Sequence, residues 1–213
     1  MSKQSGTGLF ITFEGIEGSG KTTQIVQLAE HLKATGRAVT VTREPGGTEV
    51  GAVIRALLLD PDFSEMDYHT EVLLYAADRA QHVAQIIRPA LARGDIVISD
   101  RYIDSSIAYQ HYGRGLPLDL IIDVNEHAVQ GLKPSRTILI DVPTAVGLKR
   151  ATEFATDRIE QESAAFHDRV AAGFAALAKA DPERWRVVDG SQPVDKVHQA
   201  LVKEVEVLLG RQK

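Results

Sequence analysis

The chain has 213 residues, of which 44 % are hydrophobic and 25 % are charged, a composition that can build one globular domain with a sizeable core. Its 24 basic and 29 acidic residues give a formal net charge of −5, which argues against a protein that binds along a nucleic-acid backbone. The absence of cysteine excludes disulfides, thiolate metal sites and a cysteine nucleophile.

Strand and helix patterns alternate from the amino terminus onward. Residues 9–13 form a short apolar, β-prone run, and apolar positions at helical spacing predict a helix from Lys21 to about Lys33. Residues 38–42 predict a second strand, which ends before the chain-breaking sequence Pro45-Gly-Gly47. Thr48 is a typical N-cap for the next helix. The stripe of that helix expected to be buried consists of Val50, Val53, Ile54, Leu57 and Leu58.

The second half of the chain continues this alternation. A long helical pattern runs from about Tyr68 to Arg93, and Pro89 is expected to bend it. Residues 96–98 and 137–140 are continuous apolar runs, which are typical of strands buried on both faces. The other predicted elements are helices at 104–110, 117–130, 144–152, 158–180 and 193–209 and a strand at 186–188.

The order of these elements predicts an α/β fold with a parallel sheet and helices on both faces, because parallel strands need crossover connections. No repeat or linker divides the chain, so residues 1–213 are expected to form a single domain, with a mobile lid at about 149–160. No apolar run approaches the ~20 residues of a membrane helix, and the amino terminus lacks the apolar core of a signal peptide. A cytoplasmic protein without membrane partners is therefore expected.

A glycine-rich loop follows the first predicted strand. Residues 15–22 fit the pattern G-x-x-x-x-G-K-[ST], in which the backbone N–H groups and the helix start surround a phosphate. Lys21 would reach the terminal phosphates, and Thr22 would offer its hydroxyl to Mg²⁺. The pattern predicts a nucleoside triphosphate site. Its expected residues are Gly15, Ile16, Glu17, Gly18, Ser19, Gly20, Lys21, Thr22 and Thr23.

An acidic residue ends the buried run that begins at Ile96. Because this run is a predicted parallel strand, Asp100 lies at the carboxyl edge of the sheet, where ligands bind. The interpretation we favour is that Asp100 holds Mg²⁺, directly or through water. The alternative is a carboxylate that caps the following helix.

Three arginines indicate a second anionic ligand. Arg43 follows the second strand in a Pro-Gly-Gly loop, and Arg101 follows Asp100 directly, so both lie at the same edge of the sheet. Arg79 lies on the long helix one turn after Tyr75, whose ring can stack on a base; ordinary core packing is the alternative for Tyr75. A guanidinium suits bidentate phosphate binding, whereas each arginine alone is also compatible with a structural ion pair.

Four segments together resemble the thymidylate kinase family: residues 13–24, the Arg43-Glu-Pro-Gly-Gly-Thr48 loop, Asp100-Arg-Tyr102 with the residues that follow it, and Asp157-Arg-Ile-Glu-Gln161. Their order and spacing match over nearly the whole chain. The resemblance implies a three-layer P-loop kinase fold with a five-stranded parallel sheet, a homodimer packed through helices, and the reaction of ATP with dTMP to give ADP and dTDP in the presence of Mg²⁺.

The resemblance also implies roles for single residues. Glu17 and Arg43 would contact the sugar and phosphate of dTMP, and Arg101 would bind its phosphate. Tyr75 would stack on thymine, and Arg79 would hydrogen-bond to the base. The remaining positions carried over are Ser106, Tyr109 and Gln110 around base and sugar, and Arg150 against adenine.

The lid departs from the family pattern. Some members carry a catalytic arginine in the P-loop, at the position of Gly18 here, and others carry arginines in the lid. This lid retains Lys149, Arg150 and Arg158 alone. Our hypothesis is that Arg158, with Lys21 and Arg101, neutralises the charge of the transferred phosphoryl group. The alternative is that Arg158 pairs with Glu160 or Glu162.

Other functions fit parts of the pattern. A P-loop kinase of another nucleotide is the nearest, and a methyl group gives only ~1–3 kcal/mol of discrimination between dTMP and dUMP. A nucleotide switch without catalysis would explain the reduced lid. A DNA-associated ATPase fits least, because the net charge is negative and no basic stripe is present.

Overall fold

The computed structural model describes residues 8–151 and 157–210. All five strands belong to one sheet with the order β2-β3-β1-β4-β5, and each neighbouring pair is parallel. The predicted five-stranded parallel sheet of an α/β fold is confirmed. The strands are β1 (Leu9–Glu14), β2 (Val39–Arg43), β3 (Ile96–Asp100), β4 (Arg136–Asp141) and β5 (Trp185–Asp189).

Helices connect the strands and cover both faces of the sheet, as expected. Two segments continue a helix as a π-helical turn, Val83–Ile87 after α3 and Ile107–Gly113 after α5, and Pro61–Phe63 forms a 3₁₀ turn. The helices are α1 (Lys21–Ala34), α2 (Glu49–Leu59), α3 (Tyr68–His82), α4 (Arg88–Ala92), α5 (Ile103–Ser106), α6 (Leu118–Val129), α7 (Thr144–Ala151), α8 (Ala164–Ala180) and α9 (Val194–Gly210).

The alternation of side chains along β1 produces two separate cores. Leu9, Ile11 and Phe13 pack against α1 and α9 on one face. Phe10 points to the other face and packs against α3, α4 and α6. On that second face, β4 and β5 are covered by α8, where Phe166 and Phe174 are buried. The central strands are therefore buried on both sides, which explains their continuous apolar sequences.

Some predicted boundaries were wrong. The helix expected at 158–180 begins at Ala164, after the hydroxyl of Ser163 accepts a hydrogen bond from the N–H of Phe166. The long helical pattern from about Tyr68 to Arg93 is confirmed, because α3, a π-helical turn and α4 follow one another without a gap. Pro89 lies in the first turn of α4, where its missing N–H costs no hydrogen bond.

The buried stripe predicted on α2 was also wrong. Val50, Val53 and Leu57 are 54 %, 65 % and 39 % exposed, whereas Leu58 is fully buried. Helical spacing identified residues that share a face. It could not tell whether that face turns toward the sheet, and in the single chain it turns outward.

Candidate active site

The loop between β1 and α1 has the shape that binds phosphate. Gly15, Gly18 and Gly20 have positive φ angles of 139°, 67° and 95°. A Cβ at Gly18 would overlap the carbonyl oxygen of Gly147 on α7, so no side chain fits there. Gly20 directly precedes α1, whose first N–H groups face the loop because helix starts leave them unpaired.

The side chain of Lys21 folds back onto this loop and donates to three of its oxygen atoms. Its Nζ donates to the carbonyl oxygens of Gly15 and Ile16, both at 2.9 Å, and to Oγ of Ser19 at 3.2 Å. Burial, together with the nearby Arg101 guanidinium, lowers the pKa of Lys21 to about 8. The three hydrogen bonds fix the position of the ammonium, and the lowered pKa shows that its surroundings do not fully stabilise the positive charge. A bound anion would stabilise that charge.

Two oxygen-bearing side chains meet beside the loop. The Thr22 hydroxyl donates to Oδ2 of Asp100 at 3.2 Å, and Oδ1 of Asp100 is buried with no hydrogen-bond partner in the described ranges. Hard oxygen atoms of this kind suit Mg²⁺, which often binds one or two protein oxygens together with substrate phosphates. No group of three or more His, Cys, Asp or Glu residues suited to a metal lies within residues 8–151 and 157–210.

A central cavity lies beside the P-loop at the carboxyl edge of the sheet. Of the eight residues predicted for the second ligand, all but Arg43 line it. Arg43 is exposed and lines the neighbouring cavity with Thr22 and Asp100. The central cavity is lined by Glu17, Glu44, Pro45, Arg55, Leu59, Tyr75, Arg79, Arg101, Ser105, Ser106, Tyr109, Gln110, Asp157, Ile159 and Glu160.

Arg101 connects the central cavity with the P-loop. Its guanidinium donates to Oε1 of Glu17 at 2.9 Å and to both the Gly15 carbonyl and Oγ of Ser105 at 3.1 Å. The backbone of Arg101 is left-handed, with φ at 72°, and its N–H donates to the carbonyl oxygen of Phe13. This turn at the end of β3 brings the side chain back over the sheet edge.

Glu17 receives two donors on one oxygen. Besides Arg101, the Tyr109 hydroxyl donates to Oε1 of Glu17 at 2.6 Å. Burial alone would raise the pKa of Glu17, but the charges of Arg101 and Lys21 outweigh burial and lower it. The carboxylate is therefore charged in the absence of ligand.

Arg79 is fully buried at the far end of the cavity. Its Nε donates to Oε2 of Glu44 at 2.7 Å, Nη2 donates to the Tyr102 carbonyl at 3.0 Å, and Nη1 donates to Ser106 and Asn125. These bonds use four of the five N–H donors of a guanidinium, which leaves one on Nη2 for a ligand. Ser106 thereby fixes Arg79 while also lining the cavity.

His82 and Glu44 hold Arg79 in this orientation, and neither was predicted from the sequence. Nδ1 of His82 lies 2.8 Å from Oε1 of Glu44, and Nε2 lies 2.6 Å from the Thr42 hydroxyl. His82 and Glu44 are buried, so α3 is tied to the loop after β2. Glu44 lies inside the Arg43–Thr48 motif, so the sequence could have predicted a role for it. His82 belongs to no sequence motif, so no local pattern predicts its role.

The remaining predicted residues lie where a base could bind. Tyr75 is half-buried on α3, and burial together with Glu71 raises the pKa of its phenol, which therefore stays neutral. Gln110 is buried on the second π-helical turn, and its amide donates to Oε1 of Glu71 at 3.0 Å. Tyr75, Arg79 and Gln110 thus converge on the cavity from α3 and the Ile107–Gly113 turn.

The alternative prediction for Arg158, a pair with Glu160 or Glu162, was wrong. Its Nη2 donates to Oε2 of Glu71 at 2.6 Å and its Nε to the Leu58 carbonyl at 2.9 Å, so it pairs with neither Glu160 nor Glu162. Glu162 pairs instead with Arg114, which also binds Glu71. Arg158 is buried and is not among the residues that line the central cavity. Its catalytic role stays a prediction from the sequence.

A second groove lies on the other side of the P-loop. Arg150, which is exposed at the end of α7, reaches the Gly18 carbonyl with Nη1 at 3.4 Å and lines this groove. Its other lining residues are Gly18, Ser19, Gly20, Thr23, Gln24, Ile140, Gly190, Gln192, Val194 and Val197. The predicted lid at 149–160 includes residues 152–156, which lie outside the described residues.

Besides Glu44, three charged residues that line the central cavity were not predicted from the sequence. Asp157 and Glu160 belong to the Asp157–Gln161 segment, which served as a motif but was assigned no role of its own. Arg55 on α2 has no local signal. Its Nη1 donates to the Pro45 carbonyl at 3.0 Å, so it also supports the loop after β2.

Comparison with known proteins agrees with this geometry. A family model described as thymidylate kinase matches residues 13–201. The chain is 50 % identical over 200 residues to the thymidylate kinase of Exiguobacterium sibiricum, covering 93 % of this chain and 94 % of that protein. It is 50 % identical to the enzyme of Geotalea uraniireducens, with 93 % and 96 % covered, and 49 % identical to that of Geobacter sulfurreducens, with 96 % and 98 % covered.

Within residues 8–151 and 157–210, no helix is long and apolar enough to span a membrane.

Proposed function

The chain belongs to the thymidylate kinase family and transfers the γ-phosphoryl group of ATP to dTMP, giving dTDP and ADP in dTTP synthesis, and we propose how its residues carry out this transfer. One observation supports the assignment most strongly. The Arg101 guanidinium contacts the P-loop carbonyl of Gly15 and also lines the cavity proposed for dTMP, so the two phosphate sites meet at this side chain.

On the donor side, the P-loop would bind the phosphates of ATP. Residues Gly15–Thr23 supply backbone N–H groups and the Lys21 ammonium, and Arg150 would lie against adenine at the mouth of the second groove. Thr22 and Asp100 would hold Mg²⁺, because they present a hydroxyl and an unpartnered carboxylate oxygen at one point. When bound, Mg²⁺ neutralises charge on the transferred phosphoryl group.

On the acceptor side, Arg101 would bind the dTMP phosphate after releasing Glu17. Tyr75 would stack on thymine, and the free N–H of Arg79 would donate to a carbonyl oxygen of the base. Ser106, Tyr109 and Gln110 would surround base and sugar, with Glu17 near the sugar. Arg43 would approach the phosphates from the adjoining cavity.

The chemistry of this step requires positioning and charge neutralisation more than covalent help. Lys21 and Arg101 lie at the junction of the two sites, where charge on the transferred group accumulates. We further propose that the segment at about 149–160 closes over the single domain as a lid and keeps water from accepting the phosphoryl group. Because ATP is maintained in the cytoplasm, we propose that the enzyme works there.

The direct test is release of ADP by Mg²⁺-ATP with dTMP, dUMP, dCMP, dGMP, AMP or thymidine as acceptor. We expect strong turnover with dTMP, weaker turnover with dUMP, and none with thymidine, which has no phosphate for Arg101. Preference for another monophosphate would contradict the proposed roles of Tyr75, Arg79 and Gln110. ATP binding without transfer to any acceptor would favour a nucleotide switch.

Activity at low ATP concentration should fall above pH 8. The Lys21 ammonium loses its proton near this pH in the free enzyme, whereas bound triphosphate would favour the charged form and raise its pKa. We therefore expect kcat/KM for ATP to fall about tenfold per pH unit above pH ~8, while kcat at saturating ATP persists to higher pH. The matched control is Lys21→Arg, whose guanidinium stays charged and should give a flat profile. A flat profile in the wild type would contradict the prediction.

Asp100→Asn should weaken the binding of Mg²⁺, so that activity depends more strongly on the Mg²⁺ concentration. The substitution preserves size but removes the carboxylate charge beside Thr22. We expect kcat to fall by about 10²–10³ at a fixed Mg²⁺ concentration and to recover in part as Mg²⁺ is raised. Asp95→Asn, which changes a carboxylate outside the site, is the control. Unchanged Mg²⁺ dependence in Asp100→Asn would favour the helix-capping alternative.

We also propose that the enzyme is a homodimer packed through α2, α3 and α6. The outward stripe of Val50, Val53 and Leu57 on α2 is joined by Leu73 on α3 and Ile122 on α6, which are 56 % and 43 % exposed. An apolar groove between α3 and α6 extends this surface. A combined patch of this kind is typical of an interface.

Light scattering coupled to size exclusion tests the dimer. Leu73→Glu should convert the wild-type dimer to a monomer, because it places a charge inside the buried surface. Val207→Glu changes an equally apolar, 47 % exposed residue on α9 and should leave the dimer intact. A monomeric wild type, or dissociation by Val207→Glu as well, would rule out this interface.

A further inference from the structure

The carboxylate of Glu17 is bound on only one side. Its Oε1 accepts from Arg101 and Tyr109, whereas Oε2 is buried and has no hydrogen-bond partner within the described ranges. Buried polar atoms are normally paired, and an unpaired carboxylate oxygen lowers stability. A hydrogen-bond donor to Oε2 of Glu17 would therefore stabilise the buried carboxylate.

A single buried imidazole faces this free oxygen. His167 on α8 is fully buried, and neither of its ring nitrogens has a hydrogen-bond partner among the described residues. Its Nδ1 lies 3.7 Å from Oε2 of Glu17, and the neighbouring Phe166 ring packs edge-on against the imidazole. An unpaired donor and an unpaired acceptor thus face each other just beyond hydrogen-bond distance.

Binding of dTMP would change the hydrogen bonds that the Glu17 carboxylate accepts. In the proposed function, the Arg101 guanidinium turns to the acceptor phosphate, so Glu17 loses one of its two donors. Tyr109 remains, but a carboxylate bound through one oxygen by one hydroxyl can rotate. The carboxylate would also face the incoming phosphate, and the repulsion between the two negative charges would push Glu17 away from Arg101, toward α8.

We propose that His167 is a positioning residue, whose Nδ1–H takes over Oε2 of Glu17 when Arg101 binds the acceptor phosphate. The exchange keeps Glu17 directed at the nucleoside, and it needs a movement of less than about 1 Å to bring 3.7 Å within hydrogen-bond range. This inference rests on the proposed function. It explains why two polar groups are buried without partners in the ligand-free protein.

Two substitutions separate this role from simple packing. The side-chain amide of His167→Asn keeps an N–H near the position of Nδ1, whereas His167→Leu has no donor and fills a similar volume. For His167→Leu we expect KM for dTMP to rise about tenfold, with KM for ATP within about twofold of wild type. For His167→Asn we expect KM for dTMP within about threefold of wild type.

The melting temperature distinguishes a positioning role from a purely structural one. If His167 served only to stabilise the fold, His167→Leu would lower Tm. His167→Leu removes two unpaired buried atoms, so its Tm should equal or exceed that of the wild type while its KM for dTMP is impaired. If the leucine variant does not fold, His167→Gln replaces it. The glutamine amide extends one methylene further, away from the Nδ1 position, so KM for dTMP should rise as expected for leucine.

Two outcomes would overturn the proposal while leaving the kinase assignment intact. One is an unchanged KM for dTMP in the leucine variant, or in the glutamine variant that replaces it. The other is an equal rise in KM for dTMP in the asparagine variant and in that leucine or glutamine variant. Failure of the wild type to phosphorylate dTMP would overturn the proposed function itself, and this inference with it.

Discussion

Arg101→Ala is expected to lower kcat/KM for dTMP by about 10³–10⁵, as loss of an arginine that stabilises a transferred phosphoryl group does in related chemistry. The guanidinium contacts the P-loop and lines the cavity proposed for dTMP, so its removal should affect acceptor binding and charge neutralisation together. KM for ATP should change much less, because the P-loop and Lys21 remain. Steady-state kinetics with each substrate varied in turn measures this separation.

Two further variants control for damage to the fold. Arg101→Lys preserves the charge but not the planar fork, so we expect an intermediate loss. Arg101→Ala also leaves the Glu17 carboxylate without its partner, which lowers stability. Adding Glu17→Gln should recover that stability without recovering activity. A loss below about tenfold in a folded Arg101→Ala enzyme would show that the two phosphate sites do not meet at this residue.

Arg158→Ala is expected to act mainly on stability. Breaking a buried ion pair costs about 3–5 kcal/mol, and the lower end applies here because Arg114 still binds Glu71. A loss of about 3 kcal/mol corresponds to a fall in Tm of about 6–12 °C for a chain of this size. Below the melting transition, turnover should stay within about tenfold of wild type, because the guanidinium is engaged by Glu71 and the Leu58 carbonyl.

The matched control is Arg37→Ala. Arg37 also pairs with a glutamate, Glu206, but the two side chains are 30 % and 43 % exposed, so the pair contributes little and Tm should hardly change. If turnover by folded Arg158→Ala drops by about 10³ or more, the result would instead support the sequence-based hypothesis that Arg158 neutralises phosphoryl charge. Calorimetry and initial rates at about 25 °C distinguish the two roles.

Local sequence patterns were enough to predict the fold and much of the site. The G-x-x-x-x-G-K-[ST] pattern predicted the strand, glycine loop and helix around Lys21 and Thr22, because neighbouring residues specify each of these elements. Asp100 and Arg101 were found because a buried parallel strand necessarily ends at the ligand-binding edge. The predicted parallel sheet with helices on both faces followed from the same alternation.

Other features could not be read locally. The stripe on α2 was predicted to be buried, yet periodicity cannot reveal whether an apolar face meets the sheet or an outer surface. Arg158 was assigned to phosphoryl charge or to a glutamate close in sequence. Its partner Glu71 is 87 residues away and meets it only when α3 packs beside the segment that holds Arg158.

The family, the parallel sheet and the glycine-rich loop between β1 and α1 could all be inferred from the order of residues, because each depends on contacts between chain neighbours or on strand order. The pairing of buried charges emerged only when the elements were packed together. The ion pairs of Arg79 with Glu44 and of Arg158 with Glu71 each join distant elements. In a buried site, the low dielectric constant makes the energy of a charged group depend strongly on which group it pairs with. Tertiary packing determines that partner.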